Sequence, residues 1–366
     1  MPIIDKKILF VTSSTAGHVW PAVNIANQVR KSSNTQVYFY TSGSEIETKI
    51  LDEQKLTHRR IMSGKWRRYF SLLNILDVFK VVGGTLQVFS IFLISRPDVI
   101  FIKGGFVGVP VGIAATVLGI PYYIHESDSK MGLANRILAK HAQKILVAFP
   151  LEVYKNDYFV KKMQSVGIPL SDEFTTDITH TDVAVKTVLF FGGSLGSSSI
   201  NSVVTSILEP LLRDGYKVHH ICGNSAIKDF QALRDSLDKT LAENYYPYGF
   251  VSTGIATIMK SADIVISRAG ATTLFELSAL SKPAILIPLS MAGSRGDQIH
   301  NAQYMKSNNA AVVVTEGELD SKSLVNTIKS VINDPARAKT LSNNISKLLQ
   351  KGSSELIAQD LIKSIQ

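Results

Sequence analysis

The chain alternates short apolar runs with amphipathic segments. KILFV leads through TSSTAGHVWP into AVNIANQVR, whose apolar residues return at helical spacing. DVIFI–KGGFVG–VPVGIAATVL, TVLFF–GGSLGSSS–INSVVTSILEPLL and ADIVI–SRAGATT–LFELSAL repeat the same strand, small-residue turn and helix. Further β-rich runs fall between them: QVYFYT, PYYIHE, KILVAF, KVHHICG and PAILIPL. Uninterrupted apolar strands separated by helices indicate parallel sheets covered on both faces. Ligands of such sheets bind beyond the carboxyl ends of the strands, so the four small-residue turns are where chemistry is expected.

The pattern starts near residue 6 and starts afresh at Thr187, after the aperiodic polar stretch SDEFTTDITHTDVAVK. It predicts an α/β protein of two Rossmann-like, doubly wound parallel-sheet domains facing a cleft. The first spans 1–165, the second 166–344, and a linker lies at about 165–186. A terminal helix over about 345–366 is placed to pack back on the first domain. A length of 366 residues suits two domains better than one.

Composition narrows this picture in three ways. The net charge of +9 suits nucleic acid, an anionic membrane surface or an acidic small ligand. Cys222 is the single cysteine, so no internal disulfide forms and a reducing compartment is expected. The N-terminal run MPIIDKKILFV is too short for a signal peptide. Val81 to Ser95 is uncharged for 15 residues, short of the roughly 20 that cross a bilayer. Gly104 to Ile124 is uncharged for 21 residues, but its glycines and prolines divide it into loop, helix, turn and strand. Both read as buried or surface-docking segments.

The turns carry the candidate chemistry. Ser13-Ser14-Thr15-Ala16-Gly17-His18 opens the first helix, where backbone N–H groups attract anions and small side chains let a phosphate or sugar approach. An ordinary tight strand–helix turn would look the same. Gly192-Gly193-Ser194-Leu195-Gly196 repeats the design in the second half, with Ser194 as a hydroxyl donor. Arg268-Ala269-Gly270-Ala271-Thr272-Thr273, followed by Glu276, places N–H and hydroxyl donors at a helix start and a carboxylate one turn inward, suited to ribose hydroxyls. The same residues also read as a capping box with Thr273 as N-cap and Glu276 at N3. Gly293 to Asn301 is a polar partner loop that carries Gln298.

Neither GxGxxG nor GxxxxGK[ST] occurs, and no Asp-x-Asp pair is present. The expectation is therefore an enzyme with no cofactor and no metal, in which helix dipoles and hydroxyls neutralise a diphosphate. His18 is the best candidate base, since the unperturbed pKa of histidine lies near neutrality and the residue sits at a strand end where ligands bind. His125 also ends a strand, while His219 and His220 read as structural.

Between Arg59 and Lys80 stand six Lys/Arg and one Asp, interleaved with Trp66, Tyr69 and Phe70. Lys65, Trp66, Arg67, Arg68, Tyr69 and Phe70, followed by aliphatic residues, form the pattern of an interfacial membrane segment. A solvated basic helix would share it. Aliphatic density favours lipid over nucleic acid.

TAGHVWP, SGKWRRY, KGGFVGVPVGIAA, GIPYYIHESD, GLANRILAK, GGSLGSSSIN, SRAGATTLFE and DQIHNA together, in this order and spacing, resemble the peptidoglycan glycosyltransferases of the MurG family, nearly end to end. The HESD and SGKxRRY forms resemble a Gram-positive branch. The resemblance implies the two-Rossmann glycosyltransferase architecture (GT-B). It implies transfer of N-acetylglucosamine from UDP-N-acetylglucosamine to undecaprenyl-diphosphate-linked muramyl-pentapeptide, lipid I to lipid II, with inversion. It also implies residence at the cytoplasmic face of the membrane. The roles it carries are Ala271, Thr272 and Thr273 for the diphosphate, Glu276 for the ribose, and Ser194 and Gln298 for the donor. Val251 would bind the uracil through its backbone. Thr15, Ala16 and Gly17 would line the diphosphate and acceptor cleft, with His18 as base. The family's usual first turn is Gly-Gly-Thr-Gly-Gly-His, so this chain adds side chains there. Asp128 replaces a common Asn, and an acid at that point suits a sugar hydroxyl. A UDP-N-acetylglucosamine 2-epimerase, a transferase acting on another membrane lipid and a nucleotide-sugar sensor stay open as alternatives.

Overall fold

Strands that read as solid apolar runs are buried on both faces. In β1 (Lys7–Val11), Ile8, Leu9, Phe10 and Val11 are all inaccessible to solvent. The computed structural model describes residues 6–13, 16–64, 72–174, 186–193, 196–251, 254–291 and 296–366. It divides into two units, residues 1–171 with 350–366 and residues 172–349.

In the first unit β1 is followed by α1 (Ala16–Ser32), β2 (Gln36–Thr41), α2 (Glu45–Glu53), β3 (His58–Arg60) and α3 (Leu72–Ile94). Then come β4 (Val99–Ile102), α4 (Gly108–Val117), β5 (Tyr122–Glu126), α5 (Leu133–Ala139), β6 (Lys144–Val147) and β7 (Met163–Ser165). All pairings are parallel, in the order β3-β2-β1-β4-β5-β6-β7. The order reverses between β1 and β4, so the loops after these strands flank the switch point where such sheets bind ligands.

The second unit repeats the plan. Its strands are β8 (Thr187–Phe191), β9 (Lys217–Ile221), β10 (Tyr245–Tyr248), β11 (Ile264–Ser267), β12 (Ala284–Leu286) and β13 (Val312–Val313). They lie parallel in the order β10-β9-β8-β11-β12-β13, with the reversal between β8 and β11. Its helices are α6 (Ser198–Arg213), α7 (Ile227–Asp235), α8 (Lys239–Ala242), α9 (Ile255–Ser261), α10 (Ala271–Ala279), α11 (Asp297–Ser307), α12 (Ser321–Ile332) and α13 (Pro335–Leu348). The chain then returns to the first unit as α14 (Ser353–Lys363), whose Ile357, Ala358 and Leu361 share a core with Ile8, Val19, Val23 and Ile25. Lys144 Nζ bonds Asp360 at 2.6 Å beside that seam.

One element differs from the sequence expectation. The uncharged run Val81 to Ser95 is part of a 23-residue helix, α3, that also carries Asp77 and Lys80. Asp77 is buried, and Lys80 reaches it at 3.2 Å. Gly84 makes close packing possible, since a Cβ there would stand 1.9 Å from the carbonyl oxygen of Met62. Val88 and Phe92 are buried on the same side, and the Phe92 ring stacks with Tyr40 at 6.1 Å. The segment Leu76–Ile94 is long and apolar enough to cross a membrane. One side of it nonetheless belongs to the packing of the first unit.

The shared core of α14 gives a test. Leu361→Ala is expected to destabilise the first unit by about 2–4 kcal/mol, the usual cost of emptying a leucine site. Calorimetry of the full chain should show that unit's transition falling while the transition of residues 172–349 holds; equal loss in both would refute the assignment.

Candidate functional site

The first turn joins β1 to α1 at the switch point of the first sheet. His18 lies in the first turn of α1, and its Nδ1 is 3.3 Å from Ser13 Oγ. Gly105, after β4, comes against both: a Cβ there would meet Ser13 Oγ at 1.6 Å and His18 Nδ1 at 3.6 Å. Its φ of +79° is also one that glycine tolerates best. Thr15 lies outside the described residues, as does the side chain of Ala16. Gly17 is described and lies within α1.

Beside this turn the carboxyl end of β5 carries a polar network. Glu126 accepts hydrogen bonds from the backbone of Asp128 at 3.1 Å, the backbone of Gly132 at 2.8 Å and Asn135 Nδ2 at 2.9 Å. Asp128 is thus held by its neighbours, and its carbonyl accepts from the Tyr154 hydroxyl at 2.7 Å. Lys103 is buried beneath the Gly104–Gly105 turn and bonds Ser127 Oγ. Burial pushes its ammonium down to about 8, against the charges of Glu126 and Asp128. His125 is fully buried with Nε2 on the Gly167 carbonyl at 2.9 Å. Burial, the charge of Lys103 and His18 hold it well below the ordinary histidine range, so it stays neutral.

In the second unit the turn after β11 meets α10. The helix starts at Ala271 with Gly270 as N-cap, φ −67° and ψ 138°, and no side chain caps it. This replaces the capping-box alternative: Thr273 is the third helical residue, and Glu276 lies in the second turn. The N–H groups of the first turn have no intrahelical acceptors and point out of the helix end. Glu276 is partly accessible, and burial together with the charge of Glu173 pushes its carboxyl up to about 7. Glu173 in turn accepts from the Gly254 N–H at 3.1 Å, three residues along the chain from Val251, which follows β10 (Tyr245–Tyr248).

Gln298 lies in the first turn of α11, and its Oε1 accepts the Leu289 N–H at 3.0 Å. That contact orients the side chain and leaves its NH2 to donate. Ser194 lies outside the described residues, but its neighbours define a tight turn. A Cβ on Gly192 would stand 2.4 Å from the Ser197 nitrogen, and one on Gly196 would stand 2.1 Å from the Cys222 carbonyl oxygen. Only glycine permits those approaches. Lys65, Trp66, Arg67, Arg68, Tyr69 and Phe70 also lie outside the described residues.

Sequence reasoning named Arg268 but missed the network through which it ties these turns together. Arg268 Nη2 reaches Ser199 Oγ and Glu316 Oε1, both at 2.7 Å, and Nη1 reaches the Ile287 carbonyl at 3.1 Å. Glu316 Oε2 accepts the Ser290 N–H at 3.1 Å. Burial alone would raise the Glu316 carboxyl, but hydrogen bonds from Arg268 and Ser290 and the Arg268 charge bring it down to about 2. The clamp fastens the turns after β8, β11 and β12. In the first unit, buried Glu47 plays a similar part, accepting from Thr12 Oγ1 at 3.3 Å and the Ser42 N–H at 3.1 Å. His219 and His220 are structural: His220 sits between Tyr245 and Asn201, each at 3.1 Å, and burial lowers it to about 3. Among the described residues no cluster of three or more His, Cys, Asp or Glu is placed to hold a metal ion.

Comparison with known proteins places these sites in a family. The N-terminal domain of glycosyltransferase family 28 matches residues 8–147, and its C-terminal domain matches residues 187–360. The UDP-N-acetylglucosamine–N-acetylmuramyl-(pentapeptide) pyrophosphoryl-undecaprenol N-acetylglucosamine transferase of Clostridium botulinum is 37% identical over 365 residues, 98% of each chain. The protein of the same description from Clostridium kluyveri is 38% identical over 337 residues, 89% of this chain and 91% of the other. Among solved structures, MurG of Acinetobacter baumannii superposes with a TM-score of 0.77 at 23% identity, over 98% of this chain and 99% of the other. A UDP-N-acetylglucosamine 2-epimerase shares the fold at a TM-score of 0.67 and 11% identity, over 98% and 96% of the two chains. With full-length relatives above a third identical and both domain models matched in order, the chain belongs to the MurG family of N-acetylglucosamine transferases, with the GT-B fold.

Proposed function

We propose that the chain carries out the reaction its relatives are named for. N-acetylglucosamine moves from UDP-N-acetylglucosamine to the muramyl 4-hydroxyl of undecaprenyl-diphosphate-linked MurNAc-pentapeptide, lipid I to lipid II, in peptidoglycan synthesis. The observation that carries the donor side is the bare start of α10 at the switch point of the second sheet. The N–H groups of Ala271, Thr272 and Thr273 stabilise the departing diphosphate, where fixed dipoles need no reorganisation as charge develops. Glu276 takes the ribose hydroxyls. Its raised pKa lets it donate as well as accept, which suits a diol. Ser194 and Gln298 hold the donor, and the backbone of Val251 reads the uracil.

On the acceptor side His18 removes the proton of the 4-hydroxyl as that oxygen attacks C1 of the donor sugar. The C1–O bond to UDP breaks from the opposite face, so the anomeric configuration inverts. Thr15, Ala16 and Gly17 line the approach, and Asp128 meets a sugar hydroxyl.

Docking on an anionic inner leaflet is supported by α3. Leu76, Phe79, Val82, Leu86 and Leu93 are exposed and fall within an arc of about 120° on the helix, opposite buried Val88 and Phe92. Phe79 is 68% exposed. Beside the same helix, Lys7, Arg30, Lys55, His58 and Arg59 line a groove of about 560 Å³ with Ile91 and Ser95. An apolar stripe next to cations is the makeup of a segment lying in a membrane interface. Lys65, Trp66, Arg67, Arg68, Tyr69 and Phe70 extend it by sequence.

Three outcomes follow. His18→Ala should keep UDP binding and slow transfer of labelled sugar to a short-chain lipid I analogue at least about 100-fold; undiminished turnover would remove His18 from the role. Glu276→Gln should weaken UDP binding and change stability with pH. The folded pKa of about 7 exceeds the ordinary 4.5. The fold therefore holds that proton more tightly than the unfolded chain does, an advantage complete below the unfolded value and lost as pH rises through the folded one. Thermal melts should show the variant about 2–4 °C more stable than wild type at pH 8 and no more stable at pH 4. A pH-independent difference would mean Glu276 is not desolvated. Finally, Phe79→Glu with Leu86→Glu should abolish co-sedimentation with anionic vesicles while the melting curve stays intact. Full retention on vesicles would place the membrane contact elsewhere.

A further inference from the structure

The contact between Ser13 and His18 bears on how a histidine becomes a base. Ser13 stands two residues beyond the end of β1 and is only 6% exposed. Its Oγ lies 3.3 Å from His18 Nδ1. Gly105 closes the other side, with no room for even a methyl group between it and that hydroxyl. The hydroxyl is therefore boxed between the imidazole and a backbone segment that only glycine can form. It is a fixed partner for one ring nitrogen.

A neutral imidazole has one N–H and one lone pair, and which nitrogen carries which is set by the partner of each. We propose that Ser13 is a positioning residue for the base. Its Oγ accepts the Nδ1–H of His18, so the lone pair sits on Nε2 and takes the proton of the acceptor hydroxyl. The reading rests on His18 being the base. The balance is complete without another reactant. The acceptor O–H proton passes to Nε2, and the acceptor oxygen bonds to C1. The C1–O electron pair leaves with UDP. The imidazolium so formed keeps its Nδ1–H on Ser13, which stabilises it as it appears.

The variant that tests this is Ser13→Ala, which removes the hydroxyl and adds no bulk against Gly105; Ser13→Gly is the second, should the first fold poorly. In the full-length protein labelled with ring-¹⁵N histidine, His18 is assigned by loss of its signals in His18→Ala. Wild type is expected to show the Nδ1–H tautomer. Ser13→Ala should redistribute the proton between the two nitrogens, lower kcat about tenfold and leave the KM for UDP-N-acetylglucosamine within about twofold. The acid limb of its pH–kcat profile should also move. A wild-type ring protonated on Nε2 would overturn the proposal. An unchanged kcat and pH profile in Ser13→Ala would do the same. The two readings separate cleanly: if His18→Ala retains full turnover the base assignment fails, whereas if it loses turnover and Ser13→Ala does not, only the positioning role fails.

Discussion

The proposed donor site depends on backbone amides left uncapped where a parallel sheet reverses its strand order. At β8/β11 the reversal leaves the start of α10 open, and Gly270 takes the N-cap position without offering a side chain. A serine or aspartate there would strengthen the helix by satisfying an N–H internally. Leaving the cap bare sacrifices that stability and leaves the donors without a side-chain cap, as the proposed diphosphate site needs. The neighbouring turn follows the same logic, since Gly192 and Gly196 bring the chain within a Cβ's reach of the Ser197 nitrogen and the Cys222 carbonyl.

Amides of this kind act only if the loops presenting them stay put. Arg268 and Glu316 supply that rigidity in the second unit, and Glu47 does so in the first. The two carboxylates of the second unit show how environment divides the work. Glu316 meets a guanidinium and a backbone N–H and is held ionised well below its ordinary range. Glu276 is raised to about 7 by burial and by the charge of Glu173. The first is a strut, whose fixed charge is matched in place. The second is held near its protonated form, which suits the hydroxyl recognition proposed for it.

The parts legible in the sequence were those written within a few residues. Apolar runs gave the strands, the small-residue turns gave the switch points, and the candidates His18, Ala271 to Thr273 and Glu276 were named from their place in those turns. The clamp was not legible because Arg268 and Glu316 are brought together only by the β11–β12–β13 order. The start of α10 was ambiguous because Thr273 and Glu276 match a capping spacing, whereas extended ψ at Gly270 starts the helix three residues earlier. The length of α3 was hidden by Asp77 and Lys80. They interrupt the apolar run in sequence, yet Asp77 faces the packed side and Lys80 bonds it from outside. Periodicity read with charges as breakpoints shortens a helix whose charges are paired.

The first turn shows how side chains added to a glycine-rich loop are accommodated. Ser13 brings a hydroxyl into a space that would otherwise be open, and Gly105 yields that space by lacking a Cβ. Both residues are then constrained: a larger side chain at either position meets the other before it meets solvent. The freedom lost from the turn becomes a fixed distance to the His18 ring. A loop of glycines would leave the imidazole to choose its own tautomer and rotamer at each encounter. On the proposal that Ser13 positions His18, a packed hydroxyl removes that choice before the substrate arrives.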